Sequence, residues 1–205
     1  MIKNIVFDMG NVMIYFNGAY FVERAGITDE NDRKLLINEI YKSIEWASMD
    51  RGTLTPAQAE EIMKQRIPER LHNAVTQLVS NWDRPIVPVP GMAELVRELK
   101  ENGYGIYLLS NAATNQPDYW SKVPGSEYFD GTLISAFVKL IKPDLEIYDL
   151  FLKKFSLRAD ECIFIDDSIV NAEAATLAGM SGIAFHDDVG ELRQKLVACG
   201  VKVSA

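Results

Sequence analysis

Cysteine and histidine are both scarce in this 205-residue chain, with Cys162, Cys199, His72 and His186 as their only representatives. Two thiols, one of them inside an apolar run, make no disulfide framework, so a stapled secreted scaffold is excluded and a reducing cytoplasm is expected. His72 sits in a helical pattern and His186 just past an apolar run, which leaves no basis for a histidine triad or a zinc site. Positive charge is also short. Lys+Arg number 21 against Asp+Glu 29, a net charge of −8, the wrong balance for gripping a nucleic-acid backbone. A small phosphorylated substrate is not excluded, because a metal ion and one lysine can neutralise it locally. No apolar run reaches membrane-spanning length, and no long apolar leader opens the chain, so neither a membrane partner nor a secretory signal is expected. Gly103-Tyr-Gly105 lacks the third glycine of a dinucleotide fingerprint, and no Walker Gly-Lys-Ser/Thr occurs.

What the chain does have is apolar bulk in a regular alternation. Hydrophobic residues make up 48%, enough for a substantial core carrying a large insertion. Short runs rich in β-branched and aromatic residues recur at Ile2–Phe7, Tyr104–Leu109, Gly131–Ser135, Cys162–Ile165 and Gly182–Phe185. Each reads as a buried strand. Helical patterns separate most of them. After Pro90-Gly91, residues Met92, Leu95, Val96 and Leu99 share one face of a helix that Gly103 closes. Asp144–Phe155 repeats the device, with Leu145, Tyr148, Leu152 and Phe155 expected to face inward. Asn171–Ala178 is small and alanine-rich, suited to close packing against a strand. This alternation predicts an α/β fold with a doubly wound parallel sheet. Residues 17–87 differ in kind: Gly18–Ala25, Asp29–Met49, Pro56–Gln65 and a stretch near Glu69–Val79 read as helices, with Thr55-Pro56 as a start signal. No strand interrupts them, and Pro85, Pro88 and Pro90 mark the return hinge. The expected division is a core of residues 1–16 and 88–205 and a helical insertion of 17–87.

Polar groups cluster at the ends of the apolar runs. Asp8 closes Asn4-Ile-Val-Phe-Asp8; Ser110-Asn111 follow Ile106–Leu109; Lys142 stands in Ile141-Lys-Pro143; Asp166-Asp167 follow Cys162–Ile165. The C-terminal tips of strands in an open α/β sheet are where such folds bind ligands. A carboxylate there is costly to bury without a partner. Each residue also has a plain structural use: Asp8 as a turn residue, Ser110 as a helix start, Lys142 as a loop charge, Asp166-Asp167-Ser168 as a cap. Four such coincidences in one order favour an active site.

That order resembles the haloacid-dehalogenase-like hydrolase superfamily over nearly the whole chain. Its first motif, Asp-x-Asp-Gly-Thr/Val, stands here as Asp8-Met9-Gly10-Asn11-Val12; the hydroxyl motif is Ser110; the lysine motif is Lys142-Pro143; the acidic pair is Asp166-Asp167. Phe-Asp-Met-Gly-Asn-Val with Leu-Ser-Asn and Asp-Asp-Ser most resembles a branch containing bacterial α-D-glucose-1-phosphate phosphatases. The resemblance implies a Rossmann-like core with an α-helical cap at the position of the insertion. It also implies a Mg²⁺-dependent phosphomonoester hydrolase acting on a small sugar phosphate. Asp8 is then the nucleophile that forms an aspartyl-phosphate. Lys142 pairs with Asp8 and the phosphoryl group, Ser110 and Asn111 bind phosphate oxygens, and Asp8, the Gly10 carbonyl, Asp166 and Asp167 hold Mg²⁺, with Asp166 the stronger ligand of the pair.

Gly10 is the departure from the family pattern. The acid that normally stands there protonates the leaving alkoxide, help on the order of 10²–10⁴-fold in rate. A good leaving group, a substitute acid, or binding without turnover would each accommodate its loss. Two rival readings follow: a metal-independent dehalogenase, disfavoured by the paired acids, and a phosphate-binding or interaction module. Tyr15, Phe16, Trp46, Asp50 and Arg51 lie near the expected cap entrance, where core packing is the expectation for the aromatics.

Overall fold

A computed structural model describes residues 1–204. Five parallel strands, β1 Asn4–Phe7, β2 Gly105–Ser110, β3 Gly131–Ile134, β4 Cys162–Asp166 and β5 Ser181–Ala184, form one sheet in the order β3-β2-β1-β4-β5. This is the Rossmann-like α/β arrangement. Central strands of a parallel sheet are covered on both faces and must be apolar on both. Ile5, Val6, Phe7, Ile163, Phe164 and Ile165 accordingly expose no surface. The strand order reverses at β1, because β2 and β3 lie on one side of it and β4 and β5 on the other. Register places Phe7 opposite both Leu108 and Ile165, so Asp8 leaves the sheet level with Leu109 and Asp166, and Ser110 follows one residue further on.

Besides three short 3₁₀ turns and one π turn, the described residues hold eleven α-helices: α1 Gly18–Arg24, α2 Glu30–Leu36, α3 Ile44–Asp50, α4 Pro56–Lys64, α5 His72–Ser80, α6 Met92–Glu101, α7 Pro117–Trp120, α8 Ser135–Val138, α9 Leu145–Phe155, α10 Ile169–Leu177 and α11 Val189–Ala198. Helix α6 buries the expected face of Met92, Leu95, Val96 and Leu99, a gain of about 1.5–3 kcal/mol for each side chain taken fully from water. Helices α1 to α5 lie between β1 and β2. The chain leaves and re-enters the sheet side by side: the Tyr15 N–H donates to the Val87 carbonyl (2.8 Å) and the Val89 N–H to the Met13 carbonyl (3.0 Å). No helix among the described residues is long and apolar enough to cross a membrane.

Two expectations need correction, and one helix was not expected. Asp29–Met49 is two helices, because the ladder widens over Ile37–Tyr41 and stops. Ser43 then restarts it, its hydroxyl accepting from the Trp46 N–H (3.1 Å) while donating to the Ile40 carbonyl (2.7 Å). A serine in this N-cap position is a start signal inside an apparently continuous pattern. In α9 the inward face is Ile147, Tyr148 and Phe151. Leu145 is exposed at the first turn, and Leu152 and Phe155 flank the contact, because the sheet meets the middle of the helix rather than its start. Helix α11, absent from the sequence reading, buries only Leu192 and Leu196, a pattern too sparse to register as periodic.

Candidate active site

Lys142 is the centre of the site, almost fully buried and surrounded by acceptors. Its Nζ lies 2.7 Å from Asp8 Oδ1 and 2.7 Å from Asp166 Oδ2, and it donates to the Leu109 carbonyl at 3.0 Å. The Phe164 ring lies beneath the ammonium, 5.1 Å from Nζ to its centroid. Burial works against the Lys142 charge, but the two carboxylates outweigh it and raise its pKa above the ordinary lysine value. Burial pushes Asp8 up to about 6; Lys142 opposes the shift and Asp166 reinforces it. Asp8 therefore ionises at neutral pH and titrates within reach of it.

Asp166 is held on every side. Its Oδ1 accepts from the Ser168 N–H (2.9 Å) and Asn171 Nδ2 (3.0 Å), besides the Lys142 contact on Oδ2. Asp167 is freer: it borders the cavity described below and accepts from Asn11 Nδ2 at 3.0 Å. Burial raises its pKa, partly offset by Asn11. Oxygens of Asp8, Asp166 and Asp167 lie within 4.8 Å of one another, and no histidine or cysteine joins this group among the described residues. Hard oxygen donors at this spacing suit Mg²⁺. Against them stands one ammonium, leaving a net charge of −2 from three carboxylates and Lys142. A divalent cation cancels that remainder.

The Ser110 hydroxyl is buried, and among the described residues it is the sole buried side-chain N or O atom without a hydrogen-bond partner. A buried orphan of this kind is costly. Asn111 is otherwise employed. Its Nδ2 donates to the Lys142 carbonyl (3.0 Å) and its Oδ1 accepts from the Lys142 N–H (2.9 Å), so its side chain fixes the lysine loop.

Of these groups, Asp8, Asp167 and Asn111 line a cavity of about 200 Å³, together with Gly10, Phe16, Trp46, Asp50 and Trp82. The sequence itself matches the haloacid dehalogenase-like hydrolase family over residues 2–179. The chain belongs to that family. It is 32% identical to a sesquiterpene phosphatase of Aspergillus oryzae, over 96% of this chain and 97% of that protein. It is 24% identical to the glyceraldehyde 3-phosphate phosphatase of Methanocaldococcus jannaschii, over 82% of this chain and 78% of the other. A haloacid dehalogenase family enzyme of Bacteroides thetaiotaomicron, crystallised with magnesium and inorganic phosphate, shares the fold. Its TM-score is 0.69 at 21% identity, covering 94% of this chain and 99% of that one.

This haloacid dehalogenase-like hydrolase, an enzyme with phosphatase relatives, thus brings Asp8, Lys142, Asp166 and Asp167 together. Gly10 is not dictated by its backbone: its φ is not left-handed, and an added Cβ would meet only Phe16 Cβ, at 3.7 Å. Asn11 carries the positive φ, 52°, and its Oδ1 accepts from the Phe16 N–H at 2.9 Å. Phe16 packs against Phe21, Tyr41, Trp46 and Trp82 with ring centroids 5.1–5.8 Å apart, so it is both core and cavity wall. Tyr15 donates to Asp187 (2.8 Å), and Arg51 pairs with Asp144 (3.6 Å) rather than facing the cavity. His72 Nε2 lies 3.0 and 2.9 Å from the Lys64 and Ile67 carbonyls, a structural task. Sequence reasoning missed Asn11 and Asn171 as partners of the acids. The Gly10-Asn11 dipeptide was a signal for the first, as asparagine tolerates left-handed backbone; Asn171 carried none.

Proposed function

We propose that this hydrolase is a Mg²⁺-dependent phosphomonoesterase in which Asp8 forms an aspartyl-phosphate, with residues 1–16 and 88–205 as core and 17–87 as a cap over the site. The observation that carries the reading is the convergence of Asp8, Asp166 and Asp167 on one point, within 4.8 Å, beside a single lysine. Asp8, Asp166, Asp167 and the Gly10 carbonyl would hold Mg²⁺, which supplies charge neutralisation for the phosphoryl group. Lys142 keeps Asp8 ionised and aimed. Ser110 donates its free hydroxyl to a phosphate oxygen, and Asn111, a lining residue of the cavity, keeps the lysine loop in place. A metal-independent dehalogenase reading is disfavoured by the same convergence, because uncompensated acids repel an anionic substrate.

Two substrate classes compete. The sequence expectation is a small sugar phosphate such as glucose 1-phosphate. The cavity lining favours an apolar alcohol instead: Phe16, Trp46, Met49, Pro56, Val79 and Trp82 face it, and no lysine, arginine or histidine lines it. The sesquiterpene phosphatase relative points the same way. Free cysteines, Cys162 and Cys199, support a cytoplasmic setting. Measuring kcat/KM for glucose 1-phosphate, a sesquiterpenyl monophosphate and an activated aryl phosphate, each with Mg²⁺ and with chelator, tests the reading. Mg²⁺-dependent turnover, highest for the apolar ester, is expected. Equal rates in chelator would overturn it, and a preference for glucose 1-phosphate would restore the sugar class.

A further inference from the structure

The phosphatase reading leaves one chemical role unfilled. A leaving alkoxide needs a proton, and Gly10 stands where the family's donor would be. The site must find its acid elsewhere or do without one.

The cavity narrows the search. Its lining contains no histidine, lysine or arginine, and three carboxylates: Asp8, Asp167 and Asp50. Asp8 is the proposed nucleophile. Asp167 is a proposed metal ligand tied to Asn11. Tyr119 also lines the cavity, but burial pushes its phenol well above the ordinary tyrosine value, and the nearby Asp50, Asp83 and Asp8 add to the effect. It stays protonated and is a poor proton carrier. Asp50 remains.

Asp50 is placed by contacts to the core, not by the insertion alone. It ends α3, and its carbonyl accepts from the Ser135 hydroxyl at 2.5 Å. The same hydroxyl accepts from the Ala112 N–H at 3.0 Å, in the loop that follows Ser110-Asn111. Two residues on, Gly52 has φ +74°, and a Cβ there would run into the Ala136 carbonyl. The turn after α3 is therefore pressed onto the start of α8, and Arg51 pairs with Asp144 beside it. These contacts hold the backbone of Asp50 in place, and Asp50 lines the cavity that Asp8 also lines.

We infer that Asp50 is the general acid–base of the proposed reaction, taking the part of the acid missing at position 10. This assignment rests on the phosphomonoesterase reading. As an Asp8 oxygen bonds to phosphorus and the bond from phosphorus to the ester oxygen breaks, the Asp50 carboxylic proton passes to that oxygen and the alcohol leaves. The Asp50 carboxylate then takes a proton from a water whose oxygen bonds to phosphorus. The Asp8–phosphorus bond breaks, and inorganic phosphate, ionised Asp8 and protonated Asp50 result. The titration behaviour agrees with the assignment: burial pushes the Asp50 carboxyl up to about 7, the Asp8 charge reinforces the shift and Lys142 opposes it. A group poised near the working pH is suited to giving and taking a proton in one cycle.

The test compares the parent enzyme, Asp50→Asn and Asp50→Asn/Gly10→Asp on a primary alkyl phosphate and an activated aryl phosphate, all with Mg²⁺. An alkyl leaving group needs the proton and an activated aryl one scarcely does. Asp50→Asn is expected to lower kcat on the alkyl ester by about 10²–10⁴-fold and on the aryl ester by less than about tenfold. Aryl turnover also reports that the variant is folded. Since Gly10 has room for a side chain, the double variant should recover part of the alkyl rate alone. Equal losses on both esters, or undiminished alkyl turnover by Asp50→Asn, would overturn the assignment and leave the phosphomonoesterase reading standing. A parent inactive toward both esters would overturn that reading and this assignment with it.

Discussion

Lys142 Nζ stands midway between Asp8 Oδ1 and Asp166 Oδ2, 2.7 Å from each. The two acids end adjacent strands, and the lysine arrives from the loop between α8 and α9. Register places them: β1 and β4 pair with Phe7 opposite Ile165, so both carboxylates emerge at one level. Without the ammonium these two buried carboxylates would face each other uncompensated.

Lys142→Met should therefore damage stability as well as catalysis. Removing one partner of a buried ionic group typically costs about 3–5 kcal/mol, because the remaining charges lose their compensation. Denaturant unfolding in chelator should show a loss of this size, and added Mg²⁺ should recover part of it. Turnover should fall by about 10²–10³-fold, the usual cost of losing one preorganised electrostatic partner. A variant as stable as the parent in chelator would contradict the pairing.

Ser110→Ala should separate stability from function in the opposite sense. The hydroxyl is buried with no partner, so deleting it removes a desolvation penalty of about 1–3 kcal/mol. The ligand-free variant should melt at or above the parental temperature. Its inhibition constant for inorganic phosphate should nevertheless rise. Weaker stability with unchanged phosphate inhibition would show that Ser110 is packing, not a ligand group.

The pH dependence of the metal-free fold follows from Asp50. Its carboxyl titrates near 7 in the folded protein against 3.8 for an unperturbed aspartate. The protonated form is thus favoured by folding, and that stabilisation is present in acid and lost as the pH rises from about 4 through about 7. Asp8, raised to about 6, acts in the same direction. The Lys142 charge opposes both shifts, and Tyr119 lies close enough to feel both acids. In chelator, the melting temperature of Asp50→Asn should decline less than that of the parent between about pH 5 and about pH 8. Parallel declines would show that Asp50 is not the titrating group.

Much of this was legible in the sequence because strand tips carry local signals. Phe7-Asp8 and Ile165-Asp166 announce a buried strand ending in a charge, and the order of the four polar sites carries the family resemblance. The face of α9 was misread because leucine spacing does not reveal where a sheet touches a helix. Asn111 was expected at phosphate, but its bonds to Lys142 depend on a loop thirty-one residues away in sequence, which no local pattern encodes. Asp50 was noticed only for its place near the cap entrance. Its neighbours Ser135 and Ala136 open α8, far along the chain, so its relation to Asp8 exists only once the insertion has docked.

The measurement that bears most directly on the central claim is acid-quenched turnover of an activated aryl phosphate with Mg²⁺, followed by peptide mass spectrometry. The prediction is a phosphate adduct on Asp8 that disappears when the substrate is diluted out and never forms in Asp8→Asn or in chelator. Phosphate on a different side chain, or parental turnover by Asp8→Asn with no adduct at all, would contradict it.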